Sequence, residues 1–378
     1  MAKKILYVSF GNPLTEIGGI ERYLQTLIFN LKRFLGSNIE VFVAFPVFFK
    51  DGNIGNDSNS YFTAIPIKIP SLRNRFLLPF SKIAFNLFLA IYMQRHRNDY
   101  DILHIHGDNG TFALRFFDGK KLFSLHGNSV GYYNTIKDRL SLSKRISLFI
   151  ATSISGIIEK YGIIHSDTTF SDQKEVLEYF KSNTQKNNLV YLPNFVDTTF
   201  FTPVDDRSSI RKKLGLNPRE HYALWVGTSP QRKRLDLAVR SINQCNYFNL
   251  IVVGPKIYSE EKIISFGFVE DQALLADIYR SCEVLLLTSS HEGQSIALLE
   301  SMASGCIPII RKYLAIPGFA DGYNCFLAAD DDSFISILGK IEKKLDSLNI
   351  MCKNVRELAC NSYSTERGIS TIRKFYEV

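Results

Sequence analysis

Short apolar runs alternate with longer helical patterns along the chain. The runs are rich in Val, Ile, Leu and Phe, which is typical of parallel strands buried on both faces. In the first half we predict a helix over 19–35 and strands over 5–10, 40–44, 102–106, 121–125 and 148–151. A second series predicts strands over 222–226, 249–253, 263–266, 284–287, 307–310 and 325–327. The pattern predicts the α/β class, with two doubly wound, Rossmann-like halves.

A turn-rich and charged passage over 194–220 separates the two series of strands. With 378 residues, the chain also exceeds the size at which a single hydrophobic core usually keeps growing. We therefore predict two domains joined near this passage and facing a central cleft. The carboxyl ends of the strands in each half would line that cleft.

Composition narrows the class of protein. Hydrophobic residues make up 46% and charged residues 22%, as in an ordinary globular protein. The six cysteines lie in the second half without a Cys-x-x-Cys pair, so neither a disulfide framework nor a zinc site is predicted. The apolar run at the amino end is too short for a signal peptide, and no later stretch is expected to span a bilayer.

The net charge of +8 is unevenly distributed. Residues 68–97 contain several basic residues, many apolar and aromatic residues, and no acidic residue. The basic residues are Lys68, Arg73, Arg75, Lys82, Arg95 and Arg97. This segment is interpreted either as a contact with an anionic membrane or as a core-packed helix with solvated ends. Nucleic-acid binding is disfavoured because no known module accompanies the basic residues.

The most informative stretch is Ser-Ser-His-Glu-Gly-Gln-Ser-Ile-Ala-Leu-Leu-Glu-Ser-Met-Ala-Ser-Gly at 289–305. It follows a predicted strand and continues into a helical pattern. The backbone amides of Gln294 and Ser295 would lie at a helix N-terminus, which favours a phosphate, and Gly293 would allow a close approach. Glu292 and Glu300 are suited to accept hydrogen bonds from hydroxyl groups of a sugar and a ribose.

This stretch resembles the Glu-x7-Glu signature of the retaining glycosyltransferases with the two-Rossmann GT-B fold, in the group 1 or family 4 class. The resemblance implies that Glu292 contacts the donor sugar and Glu300 the ribose of the nucleotide. It also implies an acceptor domain over 1–195 and a donor domain over 196–363. A C-terminal helix at about 364–378 would pack back on the first domain.

Two further matches lie in the first domain. Gly18-Gly19-Ile20-Glu21-Arg22 resembles the family's Gly-Gly loop, in which the amide of Gly19 would approach the donor. Leu125-His126-Gly127 resembles a strand-end histidine site. The resemblance implies that His126 reaches the reacting hexose.

The diphosphate site is expected in the stretch Trp225-Val-Gly-Thr-Ser-Pro-Gln-Arg-Lys-Arg234. It resembles the family's Gly-Arg-x4-Lys-Gly loop, whose cations neutralise the leaving diphosphate. Lys233 falls at the Lys position, and Arg232 is expected to assist. Thr228 stands where the family has Arg, and Arg234 stands where it has Gly.

Three other positions are compared with the family pattern. Phe268, in Phe268-Val-Glu-Asp, would contact the nucleobase. Phe195 replaces a Gly in the Pro-Asn-Gly-Val-Asp turn and would fit poorly if that turn needs a positive φ. Asp330-Asp331-Asp332 contains an Asp-x-Asp, but it is interpreted as a solvated turn, so no metal site is predicted.

The sequence and this resemblance together predict a hexosyltransferase that is metal-independent and has no cofactor besides its co-substrate, and the resemblance implies retention. It would move a hexosyl unit from a nucleotide-diphosphate sugar to a glycan or lipid-linked acceptor. A cytoplasmic location is expected, peripheral to the inner face of the membrane through residues 68–97. A nucleotide-sugar 2-epimerase and a catalytically weak sugar-nucleotide-binding subunit are the alternatives, the latter suggested by Thr228 and Phe195.

Overall fold

The structure is a computed structural model that describes residues 2–13, 18–48, 61–70, 78–127, 129–184, 186–256, 261–342 and 345–377. The chain divides into two compact units. Unit 1 comprises Met1–Asn194 and Gly368–Val378, and unit 2 comprises Phe195–Arg367.

Unit 1 is built on a parallel sheet of seven strands in the order β3-β2-β1-β4-β5-β6-β7. The strands are β1 (Lys3–Val8), β2 (Ile39–Phe48), β3 (Thr63–Ile69), β4 (Ile102–His106), β5 (Lys120–Leu125), β6 (Thr168–Ser171) and β7 (Leu189–Tyr191). The strand order reverses direction between β1 and β4, which places a switch point at their carboxyl ends.

Helices flank the sheet of unit 1. They are α1 (Gly19–Leu35), α2 (Leu78–Arg95), α3 (Ser129–Ile136), α4 (Leu142–His165), α5 (Lys174–Thr184) and α12 (Thr365–Tyr376). Helix α1 buries one apolar stripe that includes Leu24, Leu27 and Leu31. It ends at Gly36, whose φ of 56° lets its backbone N–H reach the carbonyl of Lys32.

The two faces of this sheet differ in character. Alternate residues such as Leu6 and Ile105 belong to one apolar core together with Phe85 of α2 and Ile163 of α4. Because side chains alternate along a strand, Tyr7, His104 and His106 point to the opposite face. There Tyr7 and His104 contact Tyr376 of α12.

Unit 2 repeats the same design with a parallel sheet of six strands in the order β10-β9-β8-β11-β12-β13. The strands are β8 (His221–Val226), β9 (Phe248–Val253), β10 (Ile263–Gly267), β11 (Val284–Leu287), β12 (Ile307–Arg311) and β13 (Phe326–Ala328). The helices are α6 (Arg207–Lys213), α7 (Leu235–Asn243), α8 (Gln272–Ser281), α9 (Ile296–Ala303), α10 (Asp331–Glu342) and α11 (Leu345–Tyr363). Two apolar clusters cover the two faces of the sheet.

The predicted α/β class with two doubly wound halves is confirmed. One strand prediction is wrong, because residues 148–151 lie inside helix α4. A short apolar run does not distinguish a strand from a helical segment, and here the run belongs to a much longer helix. Strands β3, β6 and β7 were not predicted; β6 reads Thr-Thr-Phe-Ser and has little apolar signal.

Two further expectations are revised. Helix α4 is long and apolar enough to cross a membrane by length and composition, contrary to the prediction that no stretch is. Its buried residues, including Ser155 and Glu159, make it part of the fold of unit 1. Phe195 is buried, and its φ is not positive. Phe in place of Gly therefore causes no backbone strain at this position.

Candidate functional site

In unit 2, the carboxylate of Glu292 lies between two cations and a hydroxyl group. Lys233 Nζ is 3.2 Å from Glu292 Oε1, and Arg232 Nη1 is 3.1 Å from Oε2. Ser289 Oγ donates a hydrogen bond of 2.7 Å to Oε1. The loop after β8 and the loop after β11 therefore bring together three residues selected from the sequence, namely Glu292, Lys233 and Arg232.

The electrostatics of this group favour an ionised carboxylate. Burial opposes ionisation of Glu292, but the nearby Lys233 and Arg232 outweigh it and lower the pKa of the carboxyl below its usual value. Two cations and one carboxylate together carry a net positive charge. This arrangement can attract a diphosphate to the carboxyl end of the sheet.

Lys233 is fixed through its backbone and its stem. Its carbonyl accepts hydrogen bonds from Trp225 Nε1 at 3.1 Å and from Thr288 Oγ1 at 2.7 Å. Its side chain passes over Gly227, where an added Cβ would lie 2.3 Å from Lys233 Cδ. The supporting roles of Trp225 and Thr288 were not found from the sequence, which gives no signal for hydrogen bonds to a backbone carbonyl. The hydrogen bond from Ser289 to the side chain of Glu292 was also missed.

The backbone conformation of Arg234 is one that Gly adopts easily, and Gly is the residue at this position in the family that the loop resembles. Its φ of 52° lies in the left-handed region, and it immediately precedes α7. A side chain there costs on the order of 1–2 kcal/mol. Ion pairs of Arg234 with Asp236 at 3.0 Å and Asp331 at 2.9 Å hold the side chain in place.

The start of helix α9 carries the second part of the candidate site. Ser295 is the N-cap residue, and Gly293 and Gln294 precede it, as the sequence predicts. Glu300 lies in the second turn and is buried. Its Oε2 accepts a hydrogen bond of 2.9 Å from Tyr279 of α8, a partner that the sequence analysis missed.

Two other donor-site candidates differ in exposure. Phe268 follows β10 and is 61% exposed, so its ring is available for stacking with a base. Its neighbour Val269 is buried in the apolar core. Thr228 is exposed in the loop after β8 and adds no charge, so the cations of this loop that pair with Glu292 are Arg232 and Lys233.

Gly19 and His126 belong to unit 1. Gly19 is the first residue of α1 and is exposed, and no atom of the described residues lies within 4 Å of where its Cβ would be. By contrast, a Cβ on Gly18 would lie 1.9 Å from Glu21 Oε2. At the start of this helix there is therefore space beside the backbone of Gly19, whereas the side chain of Glu21 fills the space beside Gly18.

His126 lies at the carboxyl end of β5 within a cluster of rings. Its Nε2 is 2.9 Å from Nδ1 of His106, and Tyr23 packs edge-on against it. His126, Tyr23 and Asp172 help to line a cavity of about 10 Å³, close to the smallest volume that holds one water molecule. Burial lowers the pKa of His126 to about 4 and that of the neighbouring His104 to about 3, so both are neutral at pH 7.

The remaining candidates are placed as follows. Asp331 is not merely solvated, because it pairs with Arg311 and Arg234. Arg73 and Arg75 of the basic segment lie outside the described residues. Lys82 of α2 pairs with Asp108 at 2.7 Å, which engages one of the charges that the sequence assigned to a membrane contact.

Comparisons with known proteins show a similarity to glycosyltransferases. Residues 220–344 match the family model of the group 1 glycosyl transferases. The UDP-Gal:alpha-D-GlcNAc-diphosphoundecaprenol alpha-1,3-galactosyltransferase of Escherichia coli is 22% identical over 323 residues, which are 76% of this chain and 78% of that protein.

Solved structures show the same fold over the full length. Sucrose-phosphate synthase from Thermosynechococcus elongatus has a TM-score of 0.81 at 17% identity and covers 99% of this chain and 98% of its own. Anabaena HepE in complex with UDP and glucose has a TM-score of 0.72 at 14% identity, with 99% of each chain covered. The fold and the match over residues 220–344 together support a group 1 glycosyltransferase of the GT-B fold, similar to family 4.

Proposed function

We propose that the protein is a retaining, metal-independent hexosyltransferase that uses a nucleotide-diphosphate sugar. The observation that carries this proposal is the convergence of Lys233 and Arg232 on Glu292 in unit 2. Two cations beside an expected phosphate-binding helix start supply the charge stabilisation that a metal provides in other transferases. Glu300 and the exposed Phe268 would bind the ribose and the base.

The proposed reaction is a displacement with retention. The bond from the anomeric carbon to the diphosphate breaks, and a bond to the acceptor oxygen forms on the same face of the sugar. The proton of the acceptor hydroxyl moves to the leaving phosphate oxygen, so no protein base is required. Lys233, Arg232 and the amides of Gly19, Gln294 and Ser295 would stabilise the charge, and Glu292 and His126 would orient the sugar.

The proposed acceptor is a glycan or a lipid-linked glycan. The Escherichia coli relative is named for a diphosphoundecaprenol acceptor, which supports an acceptor of this chemical class. A cytoplasmic enzyme that is peripheral to the inner face of the membrane follows from such an acceptor. Contact with the membrane through residues 68–97 stays a prediction.

The test is binding and hydrolysis of UDP-, GDP- and ADP-sugars by the full chain in the presence of EDTA. Wild type is compared with Glu300→Ala and with Glu357→Ala, an exposed glutamate on α11 that serves as the matched control. We expect a preference for one donor that Glu300→Ala abolishes and Glu357→Ala leaves unchanged. Anomeric configuration of the product, read by NMR, tests retention.

Other results would favour the alternatives. Isomerised donor without acceptor would indicate a 2-epimerase. Donor binding without hydrolysis or transfer to any acceptor would indicate a catalytically weak binding subunit. Loss of activity in EDTA that is restored by a divalent cation would contradict metal independence.

A further inference from the structure

Helix α4 is amphipathic with its apolar side facing outward. Six large apolar side chains of this helix are between 41% and 73% exposed: Leu142, Ile146, Phe149, Ile150, Ile157 and Ile164. Their spacing of three, four and seven residues places them on one stripe. The buried residues of the same helix are Thr152, Ser155, Ile158, Glu159, Gly162 and Ile163, of which only two are large and apolar.

Polar contacts fix this orientation of α4. Ser155 Oγ donates to Asp108 Oδ2, and Asp108 also pairs with Lys82 of α2. Glu159 Oε1 accepts from both the backbone N–H and the hydroxyl group of Ser129 at the start of α3. Rotation of α4 to bury its apolar stripe would break these contacts. The contacts therefore keep the stripe exposed.

Helix α2 extends the apolar surface. It exposes Phe80, Leu87, Phe88 and Ile91, which also share one helical stripe. Helices α2 and α4 contact each other and pack on the same apolar core, on one face of the seven-stranded sheet. Their outward stripes therefore point to the same side of unit 1. Exposed large apolar side chains that lie side by side form a candidate interaction surface.

The charges around the stripe are mainly positive. Arg145 and Lys160 are exposed next to the stripe, and Arg145 Nη1 lies 3.9 Å from Oδ1 of Asp138; Lys144 is exposed near the start of the helix, on its other side. Of the two carboxylates within residues 137–165, Asp138 is exposed and Glu159 is buried. A symmetric contact between two copies of this face would bring like charges together. An anionic lipid surface instead complements both the apolar stripe and its basic margin.

We propose that α4, flanked by α2, inserts its apolar stripe into the surface of an anionic lipid bilayer, with the helix axis along the membrane plane. This inference deepens the proposed function, since it would hold the enzyme beside a lipid-linked acceptor. The bilayer contact itself does not depend on the donor chemistry of unit 2. It also differs from the predicted contact of residues 68–97, because its centre is the helix at 142–165.

The first experiment is flotation of the full chain with vesicles of phosphatidylcholine, alone or mixed with phosphatidylglycerol. The test variant replaces Leu142, Ile146 and Ile157 by Gln, which keeps helix propensity. The matched control is Ile350→Gln, on α11 of unit 2, because Ile350 is 65% exposed. We expect wild type and control to bind mixed vesicles and the triple variant to bind at least tenfold more weakly.

The second experiment distinguishes insertion from adsorption. The chain has one tryptophan, Trp225, which is buried in unit 2. In Phe149→Trp a new fluorophore lies on the stripe, and brominated phosphatidylcholine in anionic vesicles should quench it. In Ile350→Trp the fluorophore should remain unquenched.

The outcomes separate the alternatives. Equal vesicle binding by wild type and the triple variant, or no binding by wild type, would overturn the inference. A wild-type dimer that the triple variant converts to a monomer would identify a second copy as the partner and would overturn it as well. Donor hydrolysis without acceptor should be unchanged in the triple variant, so a failed donor test and a failed membrane test are distinguishable.

Discussion

His106 and His126 share a hydrogen bond across two neighbouring strand ends. The two nitrogens, Nδ1 of His106 and Nε2 of His126, are 2.9 Å apart. Nε2 of His106 is buried and has no partner among the described residues. A neutral imidazole carries one N–H, and a buried N–H without an acceptor is rarer than a buried acceptor without a donor. The proton of His106 is therefore on Nδ1, and that of His126 is on its own Nδ1.

We predict that His106 sets the tautomer of His126. Replacement of His106 by Leu removes the donor, whereas Asn can still donate from about the position of Nδ1. We expect nitrogen NMR to show the Nδ1–H form of His126 in wild type and in His106→Asn, and a mixture in His106→Leu. The transfer kcat/KM should fall about tenfold in His106→Leu alone, as for one lost hydrogen bond. An Nε2–H form in wild type would refute the assignment.

Gly227 leaves room for the stem of Lys233. An added Cβ would lie 2.3 Å from Lys233 Cδ, so we predict that Gly227→Ala displaces the ammonium group from Glu292. The kcat/KM for donor hydrolysis should fall about tenfold or more, since each 1.4 kcal/mol of lost stabilisation is a factor of ten. Steady-state kinetics provide the measurement.

The matched control is Gly339→Ala in α10, where no atom of the part of the chain that the structure describes lies within 4 Å of the added Cβ. In a helix interior this change should stabilise the fold by about 0.5–1 kcal/mol and leave the kinetics unchanged. Equal kinetics of the two alanine variants would show that Gly227 does not constrain Lys233.

Much of the fold was predictable because its strands are short, apolar and buried on both faces. The bounds of α1 and of strands β4 and β11 agree with the sequence prediction. The error at 148–151 has a physical cause, because α4 exposes its apolar stripe. Apolar residues that do not face the core imitate a buried strand in the sequence.

The positions of the candidate residues were predictable where a motif fixes the loop, as for Glu292 and Lys233, which lie together, and for Ser295 at the start of α9. The site was not predictable where a buried side chain from a distant element supports a motif residue. Tyr279 on α8 bonds to Glu300 on α9, and Thr288 bonds to the carbonyl of Lys233. Such partners depend on how helices and strands pack, and no local pattern in the sequence specifies that packing.

Tyr279 is predicted to position Glu300 for the donor ribose. In Tyr279→Phe the ring packing remains, but the 2.9 Å hydrogen bond to Glu300 Oε2 is lost. We expect the KM for the donor to rise about five- to tenfold, equivalent to about 1 kcal/mol, with kcat nearly unchanged. Donor titration by calorimetry should show the same weakening.

Tyr222→Phe is the matched control for this prediction. Tyr222 is also buried and its hydroxyl group bonds to the carbonyl of Asn217, but it lies at the amino end of β8, away from the loops of the site. Loss of this hydrogen bond should lower the free energy of unfolding by about 1 kcal/mol without changing the KM for the donor. A rise of KM in Tyr222→Phe alone would exclude the proposed role of Tyr279.

We predict that Glu159, on the buried side of α4, makes the stability of the protein depend on pH. Burial raises the pKa of Glu159 from 4.5 to about 7, with Asp108 adding to the rise and Lys82 opposing it. The native state therefore binds a proton that the unfolded chain releases near pH 4.5. Stability should decrease as pH rises from about 4.5 to 7, by an amount on the order of 3 kcal/mol.

Glu159→Gln should remove this part of the pH dependence, because an amide does not ionise while its oxygen still accepts from Ser129. Urea unfolding at several pH values between 4.5 and 8 measures the effect as the difference between wild type and variant. Glu178→Gln, an exposed residue on α5, should retain the wild-type slope. If the difference between wild type and Glu159→Gln is constant over this range, Glu159 does not titrate there, and the polar contacts that orient α4 are independent of pH.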